Sequence, residues 1–224
     1  MSKLSINLFL TASLSTANSL AEIARNINAD WDDIKSALKL DARIGPNSYI
    51  SPGLGISGGN IERDLQNITN LATQFDCHSG VFESFKNAST YYKLWPSMVL
   101  KTIRPPILPK ELICVWGLTY KKNTHSVKNS PAIANILALK EEYRIRVYDP
   151  VANLPNNLKE LCDFETNFSQ SLNDCSALLI LTDWEMFSSN LSDSLIYQLS
   201  KIDIIDPYGM LKKYVNKIGK HYSL

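Results

Sequence analysis

The 224-residue sequence lacks several common signatures of function. Its four cysteines have no CxxC spacing and its three histidines are scattered, so neither offers the spacing of a metal site. A formal net charge of +1 gives no electrostatic reason to expect nucleic acid or an anionic membrane as a partner. No apolar run approaches the ~20 residues that cross a bilayer. We therefore expect no metal, no nucleic-acid partner and no membrane partner.

The first 21 residues, MSKLSINLFLTASLSTANSLA, allow two interpretations. A basic residue, an apolar stretch and small residues resemble a secretory leader. Asn7, however, interrupts the apolar run, and the helical period continues through Leu20, Ile23 and Ile27. We interpret the segment as an amphipathic helix. Because Cys114 lies in an apolar, strand-like run, we also expect buried free thiols in a reducing compartment and a cytoplasmic protein.

The chain divides into two parts of different character. Residues 1–103 are predicted to form an all-helical domain, in which Asp30 is a good N-cap and Pro96 should kink or interrupt the last helix. The predicted helices cover residues 4–27, 31–40, 62–74 and 80–103. Three prolines make residues 104–110 an extended linker.

Residues 111–224 alternate between strand-like and helical segments. The strands are predicted at LICVWGL, RIRVYDP, ALLILTDW and KIDIIDP, and Ser130 with Pro131 should begin a helix. This order predicts an α/β domain with a doubly wound parallel sheet. Its first strand-to-helix turn, GLTYKKNTHS, lacks GxGxxG, so we do not expect an ordinary dinucleotide site there.

The segment GLGISGGNIERDL, residues 53–65, carries the densest chemical signal. Its glycines let the backbone approach a ligand closely, because glycine has no Cβ. Arg63 and Asp64 add a cation and a carboxylate directly after the loop. Asn60 lies between the glycines and these charges, and asparagine is not a nucleophile.

Several motifs together resemble the UDP-glucose/GDP-mannose dehydrogenase family. Two of them are DARIG (residues 41–45) and YISPGLGISGGNIERDL (residues 49–65), which is similar to the family's glycine-rich catalytic segment. The others are GLTYKKNTHSVKNSP (117–131), VYDP (147–150), LLILTDWEMF (178–187) and the early positions Lys3, Asn7 and Asn18. In this order the motifs cover nearly the whole chain.

The resemblance implies a helical dimerisation domain followed by a UDP-binding domain. Family members begin with a GxGxxG domain that binds NAD, and this sequence has no such segment. They oxidise a nucleotide-sugar alcohol to a uronic acid for polysaccharide synthesis, holding the aldehyde on a cysteine. Asn60 stands in the position of that cysteine. We therefore predict a divergent or truncated homologue that is inactive alone.

Roles for individual residues follow from the same resemblance. Lys3 corresponds to the lysine that stabilises an oxyanion, Asn7 to its hydrogen-bonding partner and Asp64 to the carboxylate that positions water. Arg63 and Lys128 are assigned to the cofactor side. Contacts to the nucleotide sugar are assigned to Arg43, Tyr49, Ile50, Gly53, Gly55, Tyr120 and Lys121. In the second domain His125 and Ser126 replace two family aspartates, which weakens the expected binding of a UDP-sugar.

Each assignment has a plainer alternative. Lys3 could be solvated, Asn7 could be a satisfied buried amide, and Asp64 could be a first-turn acid of a helix. Arg43 could form only a surface salt bridge, and the glycines could serve only backbone turns.

Partners stay open as well. The first helix has an apolar side containing Leu4, Leu8, Leu14 and Leu20, and the family buries this helix at a two-fold axis, so a homodimer is expected. A separate chain could supply the NAD domain. Alternatively, the protein is a non-catalytic nucleotide-sugar-binding or dimerisation partner of an intact homologue, or a decayed gene product.

Overall fold

A computed structural model describes residues 1–224, which form two compact units. The first contains residues 1–92 together with Leu224, and the second contains residues 93–223. Four helices account for most of the first unit: α1 (Ser2–Asn26), α2 (Trp31–Leu40), α3 (Asn60–Gln74) and α4 (Gly80–Thr102), whose last turns belong to the second unit. The predicted helix positions are confirmed to within two residues at each end.

Small side chains on α1 let its neighbours in the first unit approach closely. Ala17 and Ala21 are almost fully buried and pack with Trp31 of α2 and with Ile50. Helix α2 begins where the sequence predicts it, because the Asp30 side chain accepts a hydrogen bond of 2.9 Å from the backbone N–H of Asp32.

The leucine side of α1 faces inward, not outward as the dimer prediction required. Leu14 is buried, Leu4 and Leu8 are half-buried, and only Leu20 of the four is exposed. A different set of residues faces solvent, at alternating spacings of four and three. We call this set the outward stripe: Ile6, Phe9, Ser13, Thr16, Leu20, Ile23 and Ile27, all exposed except the half-buried Ser13.

The second unit is built on one parallel sheet with the strand order β3-β2-β1-β4-β5-β6. The strands are β1 (Leu112–Trp116), β2 (Arg144–Tyr148), β3 (Asp163–Phe164), β4 (Cys175–Ile180), β5 (Asp203–Ile205) and β6 (His221–Tyr222). Helices α5 (Pro131–Leu139), α6 (Met186–Ser189) and α7 (Asp193–Leu199) lie between strands. The doubly wound α/β prediction is confirmed, although the two-residue strands β3 and β6 were not foreseen.

The boundary between the units falls inside α4, between Tyr92 and Lys93, and not at the predicted position after residue 103. One side chain of α5 explains the difference. The Asn135 Oδ1 atom accepts a hydrogen bond of 3.0 Å from the Ser97 N–H, and its Nδ2 donates at 2.8 Å to the Lys93 carbonyl. These bonds bind the end of α4 to the α/β unit, and the helix continues through Pro96.

Two further features bear on the sequence-based expectations. No helix has both the length and the apolar character needed to cross a membrane. All four cysteines are free thiols: Cys114 and Cys175 are buried, Cys162 is half-buried, and Cys77 is exposed, unlike the buried thiols that we expected.

Candidate functional site

The glycine-rich loop is fixed from both sides by helices of the first unit. On α1, Asn18 makes a reciprocal pair with the Gly53 backbone, donating to its carbonyl at 2.8 Å and accepting from its N–H at 2.9 Å. On α4, the Ser89 hydroxyl accepts a hydrogen bond of 2.8 Å from the Ile56 N–H. Gly55 has a φ of +69°, and a Cβ there would collide with the Ser89 carbonyl. The loop conformation therefore requires glycine at this position.

Four polar side chains meet where the loop enters α3. Asn60 is the first residue of the helix, and its Oδ1 accepts a hydrogen bond from Nη2 of Arg63 at 3.4 Å. The same guanidinium lies 3.9 Å from Oδ1 of Asp64. The other oxygen of Asp64 accepts a hydrogen bond of 2.6 Å from Nδ2 of Asn7 on α1. The carboxylate itself is buried, with 6% of Asp64 exposed.

This cluster contains four residues that the sequence assigned to one site, Asn7, Asp64, Asn60 and Arg63. One pairing differs from the expectation. Asn7 was expected to bond to Lys3, and it bonds instead to the buried Asp64. Lys3 is exposed, one turn before Asn7 on α1. Chemically, the cluster offers an amide, a cation and a carboxylate, and it contains no thiol, hydroxyl or imidazole that could attack a carbonyl.

Three other residues assigned to sugar contacts, Arg43, Tyr49 and Ile50, lie between α2 and the glycine-rich loop and differ in exposure. Arg43 forms a two-point ion pair with Asp41, at 2.9 Å and 2.6 Å. This pair raises the pKa of Arg43 and lowers the pKa of Asp41. The Arg43 side chain is 89% exposed, which matches the plainer alternative of a surface salt bridge. Tyr49 is exposed, whereas Ile50 is buried in the α1–α2 core.

In the second unit, a carboxylate of the protein fills the turn after β1. Oδ2 of Asp149 accepts hydrogen bonds from the backbone N–H groups of Leu118 at 2.7 Å and Thr119 at 3.2 Å. Its Oδ1 accepts from Val151 at 2.9 Å and Ala152 at 2.7 Å. In a dinucleotide-binding fold, the backbone of this first turn approaches the pyrophosphate. In this chain the N–H groups of Leu118 and Thr119 are already hydrogen-bonded to Asp149.

The crevice between β1 and β4, where the strand order reverses, is also closed. Gly117 has a φ of +94°, and a Cβ on it would lie 2.5 Å from the Thr182 Cβ. The Thr182 hydroxyl donates a hydrogen bond of 2.6 Å to the Thr119 carbonyl. Ligands of open α/β sheets usually enter at this point. Sequence reasoning missed both Asp149 and Thr182, although an aspartate directly after a strand was a usable signal.

The assigned cations of the second unit lie on the same loop after β1. The Tyr120 N–H donates a hydrogen bond of 3.1 Å to the Ser126 carbonyl and closes a turn. Nζ of Lys121 lies 5.6 Å from the centre of the Tyr120 ring. Lys121 and Lys128 are both exposed. Lys121 can therefore offer a point charge to a phosphate without losing a buried partner.

Comparison with known proteins identifies the two units. Residues 1–90 match the family model of the UDP-glucose/GDP-mannose dehydrogenase central domain, and residues 114–214 match that of the UDP binding domain. The chain belongs to the UDP-glucose/GDP-mannose dehydrogenase family.

The chain matches only part of the length of its relatives. UDP-glucose 6-dehydrogenase of Rickettsia typhi is 30% identical over 98% of the chain, and that of Rickettsia prowazekii is 31% identical over 96%. The chain spans about half the length of these relatives, 52% and 51% respectively.

Solved structures show the same fold. A UDP-glucose dehydrogenase from Pyrobaculum islandicum superimposes with a TM-score of 0.85 at 21% identity, over 98% of this chain and 49% of the other. A UDP-D-ManNAc dehydrogenase from Pyrococcus horikoshii gives a TM-score of 0.81 at 20% identity, over 99% of this chain and 50% of the other.

Proposed function

We propose that this chain is a nucleotide-sugar-binding, dimer-forming part of a UDP-sugar 6-dehydrogenase and does not oxidise a sugar by itself. The observation that carries the proposal is Asn60. Its amide oxygen accepts a hydrogen bond from Arg63 at the position where the family places its cysteine. An amide cannot hold an aldehyde covalently, so the step that commits a sugar to the acid has no nucleophile here.

The residues of the α/β unit do not fit the family cofactor, NAD. Asp149 holds the Leu118 and Thr119 N–H groups that a pyrophosphate would need, and its negative charge would repel that group. We therefore derive no hydride-transfer step on this chain. If a complete assembly oxidises sugars, a dinucleotide domain outside the residues described here must hold NAD.

Ligand binding remains part of the proposal, at lower affinity than in an intact enzyme. Lys121 supplies a positive charge and Tyr120 an aromatic face on one turn of the unit that matches the UDP binding domain. The family's paired aspartates at this turn are replaced by His125 and Ser126. A UDP-sugar is the proposed ligand, in the cytoplasm, where such sugars are substrates for polysaccharide synthesis.

A homodimer is proposed through the outward stripe of α1. An antiparallel second copy would place Ile6 opposite Ile23, Phe9 opposite Leu20 and Ser13 opposite Thr16. The small residues therefore meet at the two-fold axis, where helices approach most closely, and the large apolar residues meet on either side. The alternation of three and four residues is the spacing that left-handed helix packing requires.

The same stripe supports the second candidate, a non-catalytic partner of an intact homologue. Phe9 is 77% exposed and Ile27 is 68% exposed, which is a large apolar surface for one helix to leave in water. A homologous helix with the same pattern could cover it as well as a second copy of this chain.

The deciding experiment for catalysis is a reduction assay on the purified full chain. With NAD and UDP-glucose, we expect no formation of reduced cofactor by the wild type or by Asn60→Cys, because the residues of the α/β unit do not fit NAD. Asn70→Cys, which puts a thiol elsewhere on α3, is the matched control. Turnover by the wild type would overturn the proposal, and turnover by Asn60→Cys alone would show that NAD binds to this chain.

A further inference from the structure

The α/β unit buries two thiols that the proposed function does not use. Cys114 lies in the middle of β1 and Cys175 is the first residue of the neighbouring strand β4. Both belong to the same hydrophobic core cluster, on the same side of the sheet. Cys114 is fully buried, while Cys175 retains 9% exposure at the edge of the cluster.

The strand register sets how far apart the two cysteines lie. Cys175 is paired with Leu112 and Ala177 with Ile113, so Ser176 has no partner in the ladder. Cys114 therefore lies diagonally from Cys175, two residues beyond Leu112. Neighbouring strands lie about 4.8 Å apart and each residue advances about 3.3 Å, so the two Cα atoms are roughly 8 Å apart. A disulfide needs Cα atoms within roughly 7 Å. Closing a bond requires a small local shift, and the irregularity at Ser176 lies where that shift is needed.

The Arg146 guanidinium, on the strand β2 that neighbours β1, gives the two thiols different electrostatic surroundings. Nη1 of Arg146 lies 3.9 Å from the Cys175 Sγ and donates a hydrogen bond of 2.6 Å to the Asn173 carbonyl, which fixes its position. The neighbouring Cys114 thiol lowers the pKa of Cys175, and the charge of Arg146 lowers it further. Burial raises the pKa of Cys114. Cys175, whose thiolate is the more stable of the two, is thus also the more accessible thiol.

We propose that Cys114 and Cys175 form a two-electron redox site that a hydroperoxide converts into a disulfide between β1 and β4. The Cys175 thiolate attacks the peroxide O–O bond, which gives a sulfenic acid and, with one proton, water when hydrogen peroxide is the oxidant. The Cys114 thiol then loses its proton and attacks the Cys175 sulfur, and the hydroxyl leaves as a second water. Two thiols are oxidised to one disulfide, and one peroxide is reduced to two waters.

The third thiol of the α/β unit, the half-buried Cys162, provides an internal comparison. Burial and the neighbouring Asp163 raise the pKa of Cys162 to about 11. Cys162 is more exposed than Cys175 but has no cation or second thiol in contact, so it should react more slowly. Selectivity for the buried pair over Cys162 is therefore the specific expectation of the proposal.

The test is thiol counting on the full chain carrying Cys77→Ser, which removes the exposed thiol and leaves three cysteines. The folded protein is exposed to hydrogen peroxide, unfolded and labelled with a maleimide. We expect one label instead of three, recovery of all three after dithiothreitol, and a linked peptide pair containing Cys114 and Cys175. With Cys162→Ser added, both remaining labels should disappear.

Adding Cys175→Ser to the Cys77→Ser chain should leave both of its remaining thiols available for labelling. If that variant does not fold, the linked-peptide map of the Cys77→Ser chain decides alone. Three labels after peroxide, a loss that dithiothreitol does not reverse, or a bond that includes Cys162 would each overturn the proposal.

Discussion

Asn7 and Asp64 are 57 residues apart in the sequence, yet the Asn7 amide donates a hydrogen bond of 2.6 Å to the Asp64 carboxylate. This bond joins α1 to α3 beneath the glycine-rich loop. Because Asp64 is buried and Arg63 reaches it only at 3.9 Å, the amide is its closest hydrogen-bond donor. The pair is consequently a structural tie at the centre of the candidate site.

The first prediction is that Asn7→Ala destabilises the helical unit by about 1.5–3 kcal/mol, because a buried carboxylate loses a charge-assisted hydrogen bond. The matched control is Asn70→Ala on α3, where Asn70 accepts from Gln66 at 2.8 Å on an exposed surface. Both substitutions replace Asn by Ala inside a helix and gain the same helix propensity. The difference between their unfolding free energies, measured in urea, therefore reports the effect of burying the hydrogen bond. Equal effects from the two variants would contradict the assigned role of the buried pair.

The second prediction concerns alkaline pH. Tyr91 and Tyr92 on α4 each donate a hydrogen bond to Glu22 on α1, at 2.9 Å and 3.0 Å. Burial, with a further contribution from Glu22, raises the pKa of Tyr92 to about 12. The folded state therefore holds this proton more firmly than the unfolded chain, whose tyrosines titrate near 10. The resulting stabilisation is complete below pH ~10 and is lost as the pH rises to ~12.

Tyr92→Phe should remove this part of the pH dependence. Unfolding free energies of wild type and variant, measured by urea at a series of alkaline pH values, should converge as the pH rises. Tyr197→Phe is the control, because Tyr197 is 65% exposed on α7. A wild-type advantage over Tyr92→Phe that is constant with pH would show that the raised pKa is wrong.

The helices and main strands could be predicted because their signals are local. Asp30 before Trp31 and Ser130 before Pro131 cap α2 and α5 through hydrogen bonds to backbone two residues away. Strands β3 and β6 have only two residues each, which is too short for a periodic pattern.

The candidate site could be predicted only in part, since its residues lie together through contacts that no local pattern records. The glycine loop and Asp64 were visible in the sequence as a motif. Which partner Asn7 finds depends on how α1 packs against α3. The position of Asp149 depends on the pairing of Trp116 with Tyr148, which places the end of β2 beside the turn after β1.

The third prediction concerns the hydrogen bonds that the Asp149 carboxylate accepts. Asp149→Asn keeps the shape of the side chain but replaces one acceptor oxygen with an N–H donor that faces backbone N–H groups. We expect a loss of at least about 2 kcal/mol in the stability of the α/β unit. The control is Asp163→Asn, whose carboxylate is 64% exposed and lies 3.9 Å from Arg144. A loss no larger than that of the control, in urea unfolding, would mean that the backbone donors have other partners.

The fourth prediction concerns ligand binding. Lys121→Ala should weaken the binding of UDP by roughly fivefold, the effect of losing about 1 kcal/mol from one exposed charge next to a phosphate. Lys201→Ala is matched, because Nζ of Lys201 lies 4.9 Å from the centre of a tyrosine ring, Tyr197, in a similar arrangement. Calorimetric titration at millimolar ligand measures both. Equal affinities in the two variants would place the nucleotide site elsewhere, and an absence of wild-type binding would leave dimerisation as the inherited property.

The last prediction is that the outward stripe pairs in an antiparallel two-fold arrangement. Phe9→Glu should raise the dimer dissociation constant by at least roughly a hundredfold, since each dimer loses two buried phenylalanines worth about 1.5–3 kcal/mol apiece. Adding Leu20→Lys should restore part of the affinity, because each Glu then faces a Lys of the partner copy across the axis.

Leu40→Glu is the control, as Leu40 is 87% exposed but lies on α2. Sedimentation equilibrium should give twice 25.2 kDa for wild type and control, and the monomer mass for Phe9→Glu. A wild-type monomer would contradict the dimer, and a dimer that Phe9→Glu leaves intact would contradict this surface.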